Sequence, residues 1–156
     1  VISGFDALAQ GKQHKIPYMA GSNSQDMMVP ILFNMASSWC EKQEVPSYSW
    51  YFSRQLPGDG NGAWHSADLW YWFGTLPNCW RPMTPKDFEL SNVMTDYLTN
   101  FCKTGDPNGK KPLPAWSPAS KNEKRVMTLG EGDPRMAKAP LLKMIKTMLT
   151  NKAVGE

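Results

Sequence analysis

The stretch PKDFELSNVMTDYLTNFCKTGDPNG, from Pro85 to Gly109, constrains the fold of this chain more than any other. Phe88, Val93, Tyr97 and Phe101, with Leu90, Met94 and Leu98 between them, form an apolar stripe at helical spacing. Proline stands at the head of the stretch, and Gly105 and Pro107 stop it. A long helix with one apolar face needs a layer to cover. Three short segments can supply a sheet. KIPYMAGSN (Lys15 to Asn23) reads as a buried strand closing on a turn. SYSWYFSRQL (Ser47 to Leu56) is rich in the aromatic residues that favour strands, and KRVMTLG (Lys124 to Gly130) is a third candidate. Further helices are expected from near Pro30, over SADLWYWFGTL with Ser66 near its start, and from Pro140 to the end of the chain. Strands alternating with helices predict an α/β layered fold.

Composition narrows the function classes. At 156 residues, 41% hydrophobic and 20% charged, the chain is long enough for one domain with a real core. No apolar run reaches the ~18–20 residues of a membrane span, so no membrane insertion is expected. The N-terminus shows no signal-peptide pattern; it lacks an initiator methionine and reads as the middle of a longer chain. Cys40, Cys79 and Cys102 are odd in number and include no Cys-x-x-Cys pair, which argues against a disulfide framework and against zinc. Thiols of this kind fit either a reducing compartment or incidental buried positions, which leaves localisation open with a slight lean to the cytoplasm. The net charge of +3 conceals an asymmetry, −3 over residues 1–102 and +6 over 103–156. The basic residues lie among Pro, Gly and Asn without interleaved aromatics, so a solvated face is expected and not a nucleic-acid surface.

The chain has two histidines. His14, in a polar run, is expected to be exposed and without a role. His65 sits between the glycine-rich PGDGNG loop and a run of aromatics, in GAWHSADLWYWFG. From spacing alone it is either a core residue or a general base. A base needs a carboxylate on its other ring nitrogen to fix the tautomer and stabilise the imidazolium. In layered α/β enzymes such groups sit on loops after the carboxyl ends of strands. Asp26 and His65 each follow a predicted strand, and adjacent parallel strands would bring their loops together. Asp68, three residues beyond His65, competes as the acid, although such a pair is more often a local structural contact.

GAWHSADLWYWFGTL, followed by LSNVMTDYLTNFCKTGDPNGKKPLPAW, resembles the end of the type-B carboxylesterases, the cholinesterase-like α/β-hydrolases. In that family the histidine of the Gly-Ala-x-His-x-x-Glu/Asp-Leu stretch is the catalytic base, and His65 matches it. The IPYMAGSNSQDM segment is similar to the one that ends in the triad acid, and Asp26 falls on that position. The resemblance covers nearly the whole chain and implies the C-terminal part of an α/β-hydrolase fold, its last strands with flanking helices. Aspartate stands where the family usually has glutamate, and Met27 where it has glycine. Only 39 positions separate Asp26 from His65, which implies a short-lid member.

The chain has no Gly-x-Ser-x-Gly elbow and no glycine cluster for an oxyanion hole. The family order is Ser, acid, His, so the nucleophile is expected upstream of Val1. The resemblance therefore implies a serine carboxylesterase acting on a small-molecule ester without a cofactor. Residues 1–156 would supply the acid and the histidine and be inactive alone. The aromatics after His65 would line or support the acyl or alcohol pocket, most of them as core. Two alternatives stay open, a non-catalytic interaction module of the same family and an aromatic-rich carbohydrate-binding module. A sheet cut off from its upstream strands leaves an edge bare, so the isolated chain is expected to self-associate.

Overall fold

The computed structural model describes residues 3–26, 44–110, 112–143, 145, 146 and 149. The described residues form a four-stranded mixed sheet, in the order β1 (Tyr18–Asn23), β2 (Ser47–Phe52), β3 (Arg125–Leu129), β4 (Arg135–Lys138), flanked by helices. β1 and β2 run parallel, with Tyr18 opposite Ser47 and Asn23 opposite Phe52. β2 and β3 are also parallel, and β3 and β4 form an antiparallel hairpin. The chain thus has an α/β arrangement, with its carboxyl-end loops after β1 and β2 side by side.

β2 shows why this sheet is covered. Tyr48 and Phe52, four residues apart on one face of the strand, point into the main core with Tyr71, Leu90, Met94, Tyr97, Trp116 and Met127. Trp50, between them on the same face, meets Trp72 in a tilted ring contact at 5.5 Å. On the opposite face Tyr51 packs with Val126, Ala139 and Leu141. β1 needs glycine at position 21. A Cβ there would lie 2.1 Å from the Trp50 ring and 2.4 Å from the Trp50 carbonyl oxygen.

Helix α1 spans Gly4–Ala9, α2 Leu69–Trp72 and α3 Pro85–Thr104, with a 3-10 turn at Leu76–Asn78. α3 starts on Thr84 with Pro85 in its first turn, and the Asp87 carboxylate accepts from the Thr84 N–H at 2.8 Å. It ends on Gly105 at φ 75°, a left-handed position that suits glycine. The expected stripe is shifted around the helix. Asp87, Leu90, Ser91, Met94 and Tyr97 are the buried face, whereas Phe88 is exposed. Two polar residues hold core positions because they arrive with partners: Ser91 donates to the Tyr71 carbonyl at 2.9 Å, and Asp87 accepts from three residues.

The Thr-Gly-Asp-Pro-Asn element after α3 has a structural part. Asn108 donates to the Trp116 carbonyl at 2.9 Å and accepts from the Trp116 N–H at 2.8 Å, which seats Trp116 edge-on against Tyr97. Tyr97 donates to the Pro114 carbonyl at 2.6 Å, and burial pushes its hydroxyl pKa up to about 12.

The helix expected from Ser66 is cut to four residues, because Ser66 (φ 69°) and Gly74 (φ 63°) both take left-handed conformations. α1 and β4 carry too short a pattern to be read locally. The helix expected from near Pro30, and with it Cys40, lies outside the described residues. The chain is helical again at 141–143, 145 and 146, where a helix from Pro140 is expected. Among the described residues no helix is long and apolar enough to cross a membrane.

Candidate active site

The loop after β1 and the loop after β2 meet at the carboxyl end of the sheet. The Ser24 N–H donates to the Phe52 carbonyl at 2.8 Å, and the Gln25 N–H to the Ala63 carbonyl at 2.9 Å. The Gln55 side chain bonds the glycine-rich loop at three points, and Arg81 holds it at the Pro57 carbonyl and Asp59. The Gln55 amide donates to the Leu56 and Asp59 carbonyls at 3.0 and 2.7 Å and accepts from the Gly62 N–H at 2.8 Å. Gly62 takes φ 68° and turns the chain back towards β1.

That turn delivers His65 to Asp26. The imidazole Nδ1 lies 3.2 Å from Oδ1 and 3.3 Å from Oδ2 of Asp26. With the proton on Nδ1, the ring donates to the carboxylate and Nε2 keeps a free lone pair. The His65 side chain is 82% exposed and that of Asp26 18%. His65 is therefore a surface residue aimed by a sheltered carboxylate, and not a core histidine. His14 is exposed.

Asp68, the other acid within sequence reach, faces elsewhere. It is buried, and its Oδ1 accepts from the Asn23 side-chain amide at 2.7 Å. Burial pushes its carboxyl pKa up, and the Asn23 hydrogen bond opposes that. The same Asn23 amide donates to the Trp64 carbonyl at 2.7 Å.

Behind the histidine loop lies a buried ionic cluster. Asp87 accepts from Arg54 Nε at 2.8 Å, the Tyr71 hydroxyl at 2.6 Å and the Thr84 hydroxyl at 2.5 Å. Arg54 also pairs with Glu131. Burial alone would raise the Asp87 pKa, but the Arg54, Thr84 and Tyr71 hydrogen bonds outweigh it and hold the carboxyl well below the usual range. Tyr71 lies on α2, so the helix that follows His65 is fixed to the start of α3. Sequence patterns gave no signal for Asn23, Gln55 or this cluster; Asn23 meets Asp68 45 residues away, and Asp87 meets Tyr71 and Arg54 16 and 33 residues away.

The aromatics after His65 divide. Tyr71 and Trp72 are core, while Trp64, Leu69, Trp70 and Phe73, with Ser66 and Thr75, line an open apolar groove of about 480 Å³. Trp80 is 78% exposed and stacks on the Arg81 guanidinium at 4.6 Å. Among the described residues no three His, Cys, Asp or Glu side chains cluster as metal ligands would, and Cys79 and Cys102 are free thiols.

Comparison with known proteins places this geometry in context. The model of the carboxylesterase family matches residues 31–147, three quarters of the chain. The bile salt-activated lipases of Mus musculus and Homo sapiens are each 34% identical over 100 residues, covering 58% of this chain. The chain spans only 16% and 13% of their lengths. Carboxylesterase 4A of Bos taurus is 36% identical over 84 residues, 51% of this chain and 15% of that protein. Among solved structures, the chain is similar to an esterase from anaerobic Clostridium hathewayi described as hydrolysing aliphatic aromatic polyesters. The TM-score is 0.62 at 19% identity, over 74% of this chain and 23% of that one. A PNB esterase structure matches with a TM-score of 0.58 at 20% identity, over 78% of this chain and 26% of that one. At these identities the structural matches carry the fold alone.

Proposed function

The chain belongs to the carboxylesterase family, and on that premise we propose that it supplies the base and the acid of a serine esterase triad. His65 is the base and Asp26 the acid. The observation that carries this reading is the Nδ1–carboxylate contact at 3.2 Å on adjacent loops at the carboxyl end of the parallel strands. Residues 1–156 are, in this proposal, the C-terminal part of an α/β-hydrolase domain with a short lid. The serine and the oxyanion hole come from sequence upstream of Val1.

In the complete protein the serine hydroxyl attacks an ester carbonyl and its proton passes to His65 Nε2. Asp26 stabilises the imidazolium formed at that moment. The imidazolium returns the proton to the departing alcohol, leaving an acyl-enzyme. His65 then takes a proton from water, which attacks the acyl carbonyl; the serine C–O bond breaks, the imidazolium returns the proton to the serine oxygen, and the acid is freed. Trp64 and Ser66 flank His65 in sequence and line the apolar groove, which suits the apolar part of a small ester. No cofactor is needed.

This division of labour has a direct test. The isolated chain is expected to hydrolyse p-nitrophenyl acetate no faster than free imidazole at equal concentration. Enzyme-like turnover by the chain alone would contradict the absence of its nucleophile.

A second expected outcome concerns association. The two sheet edges differ in chemistry. β4 carries Arg135 and Lys138, charges that discourage edge pairing, whereas β1 is Tyr-Met-Ala-Gly-Ser-Asn without a charge. The isolated chain is therefore expected to sediment as a dimer or larger species. A monodisperse monomer at tens of micromolar would count against it.

A further inference from the structure

We infer that Asn23 is the positioning residue of the His65–Asp26 pair, a step that rests on the function proposed above. Asn23 ends β1, three residues before Asp26, and its side-chain amide crosses to the histidine loop. There it donates to the Trp64 carbonyl and to Asp68 Oδ1, both at 2.7 Å. Trp64 immediately precedes His65, and Asp68 follows it by three positions. One amide group thus brackets the base on both sides from the strand that carries the acid.

The orientation of the amide is fixed by its neighbours. A carbonyl and a carboxylate oxygen both accept hydrogen bonds, so the NH₂ group faces them and the amide oxygen faces away. That oxygen is buried and has no hydrogen-bond partner among the described residues. Asn23 as a whole is 1% exposed. An unpaired buried acceptor is unfavourable, so a residue kept there needs a compensating use for its donors. The two bonds to the histidine loop are that use.

Backbone contacts do not do the same work. The Gln25 N–H to Ala63 carbonyl bond reaches the loop two residues short of His65, and the Ala67 N–H to Trp64 carbonyl bond at 3.0 Å stays within the histidine loop and does not tie it to β1. His65 is highly exposed, so no surrounding core holds it. Asn23 supplies the second and third points of attachment, and three points define an orientation.

The test reads the imidazole tautomer in the 156-residue chain by ¹⁵N chemical shifts of the neutral ring, because the tautomer follows the hydrogen bond made by Nδ1. The native chain is expected to favour the Nδ1–H form. Asp26→Ala is expected to lower the Nδ1–H to Nε2–H ratio by about fivefold or more. Asn23→Ala is expected to lower it by a comparable factor while the circular dichroism stays native. Should that variant fail to fold, Asn23→Asp keeps the shape, loses both donors and is expected to lower the ratio likewise. Tyr97→Phe, which removes a buried hydrogen bond elsewhere in the core, controls for a general loss of stability and is expected to leave the ratio as it is. A native ratio in folded Asn23→Ala or Asn23→Asp, with a lowered one in Asp26→Ala, overturns the inference alone. A native ratio in Asp26→Ala overturns the dyad itself.

Discussion

Replacing Asp87 by alanine is expected to lower the stability of the chain by about 3–5 kcal/mol, a fall in melting midpoint on the order of 10 °C. The magnitude follows from what is left behind. Arg54 would keep its buried guanidinium with only Glu131 to pair with, and the Tyr71 and Thr84 hydroxyls would lose their acceptor. Replacing both ions, as Arg54→Met with Asp87→Leu, is expected to lose less than the two single losses added, because no unpaired charge remains. Thermal unfolding followed by circular dichroism checks both. A loss below about 0.5 kcal/mol for Asp87→Ala, the range of ordinary surface changes, would contradict this account of the cluster.

The same cluster sets an acid limit. The Asp87 pKa is depressed in the folded chain, so its stabilisation is fully present above the unfolded carboxylate value of about 3.9 and is lost as pH falls through the lower folded value. Asp68 acts with the opposite sign. Its folded pKa is raised by burial, so its contribution weakens as pH rises from about 3.9 to the folded value.

In the complete protein, His65→Ala is expected to reduce kcat for p-nitrophenyl acetate by about 10⁴-fold or more, with KM little changed. Among the described residues the other histidine, His14, lies exposed before the amino-terminal end of β1, away from the loops that carry Asp26 and His65. Residual activity would come from substrate binding and from the oxyanion hole, the latter upstream in the proposed division. Steady-state kinetics on active-site-titrated enzyme make the comparison, and a loss under tenfold would remove His65 from the chemistry.

Local pattern made much of this visible, and long-range pairing hid the rest. α3 was legible because its period repeats over twenty residues and both ends carry stop signals. Its exact face was not, because Asp87 and Ser91 look exposed until Arg54, Tyr71 and Thr84 arrive from other elements. β4 exists because β3 offers it a partner, and Arg-Met-Ala-Lys alone carries no strand pattern. His65 and Asp26 stood out through family resemblance and through their places after two strands. The sequence favoured Asp26 over Asp68 by its place after a strand; the contact of Asp26 with His65 Nδ1 at 3.2 Å is a long-range one that no local pattern carries. Both carboxylates lie within reach of the ring in sequence terms, and Asp68 is held inward by partners that include the Asn23 amide, 45 residues away, and Trp72.

Which carboxylate serves the imidazole is therefore the point on which the reading stands, and one kinetic comparison in the complete protein addresses it. Asp26→Asn is expected to cost about 10⁴-fold in kcat, since a carboxamide no longer enforces the working tautomer or stabilises the imidazolium. Asp68→Asn keeps an oxygen for the Asn23 amide to bond and is expected to cost tenfold at most. The reverse order, with Asp68→Asn the crippled variant and Asp26→Asn close to the native rate, would contradict the account.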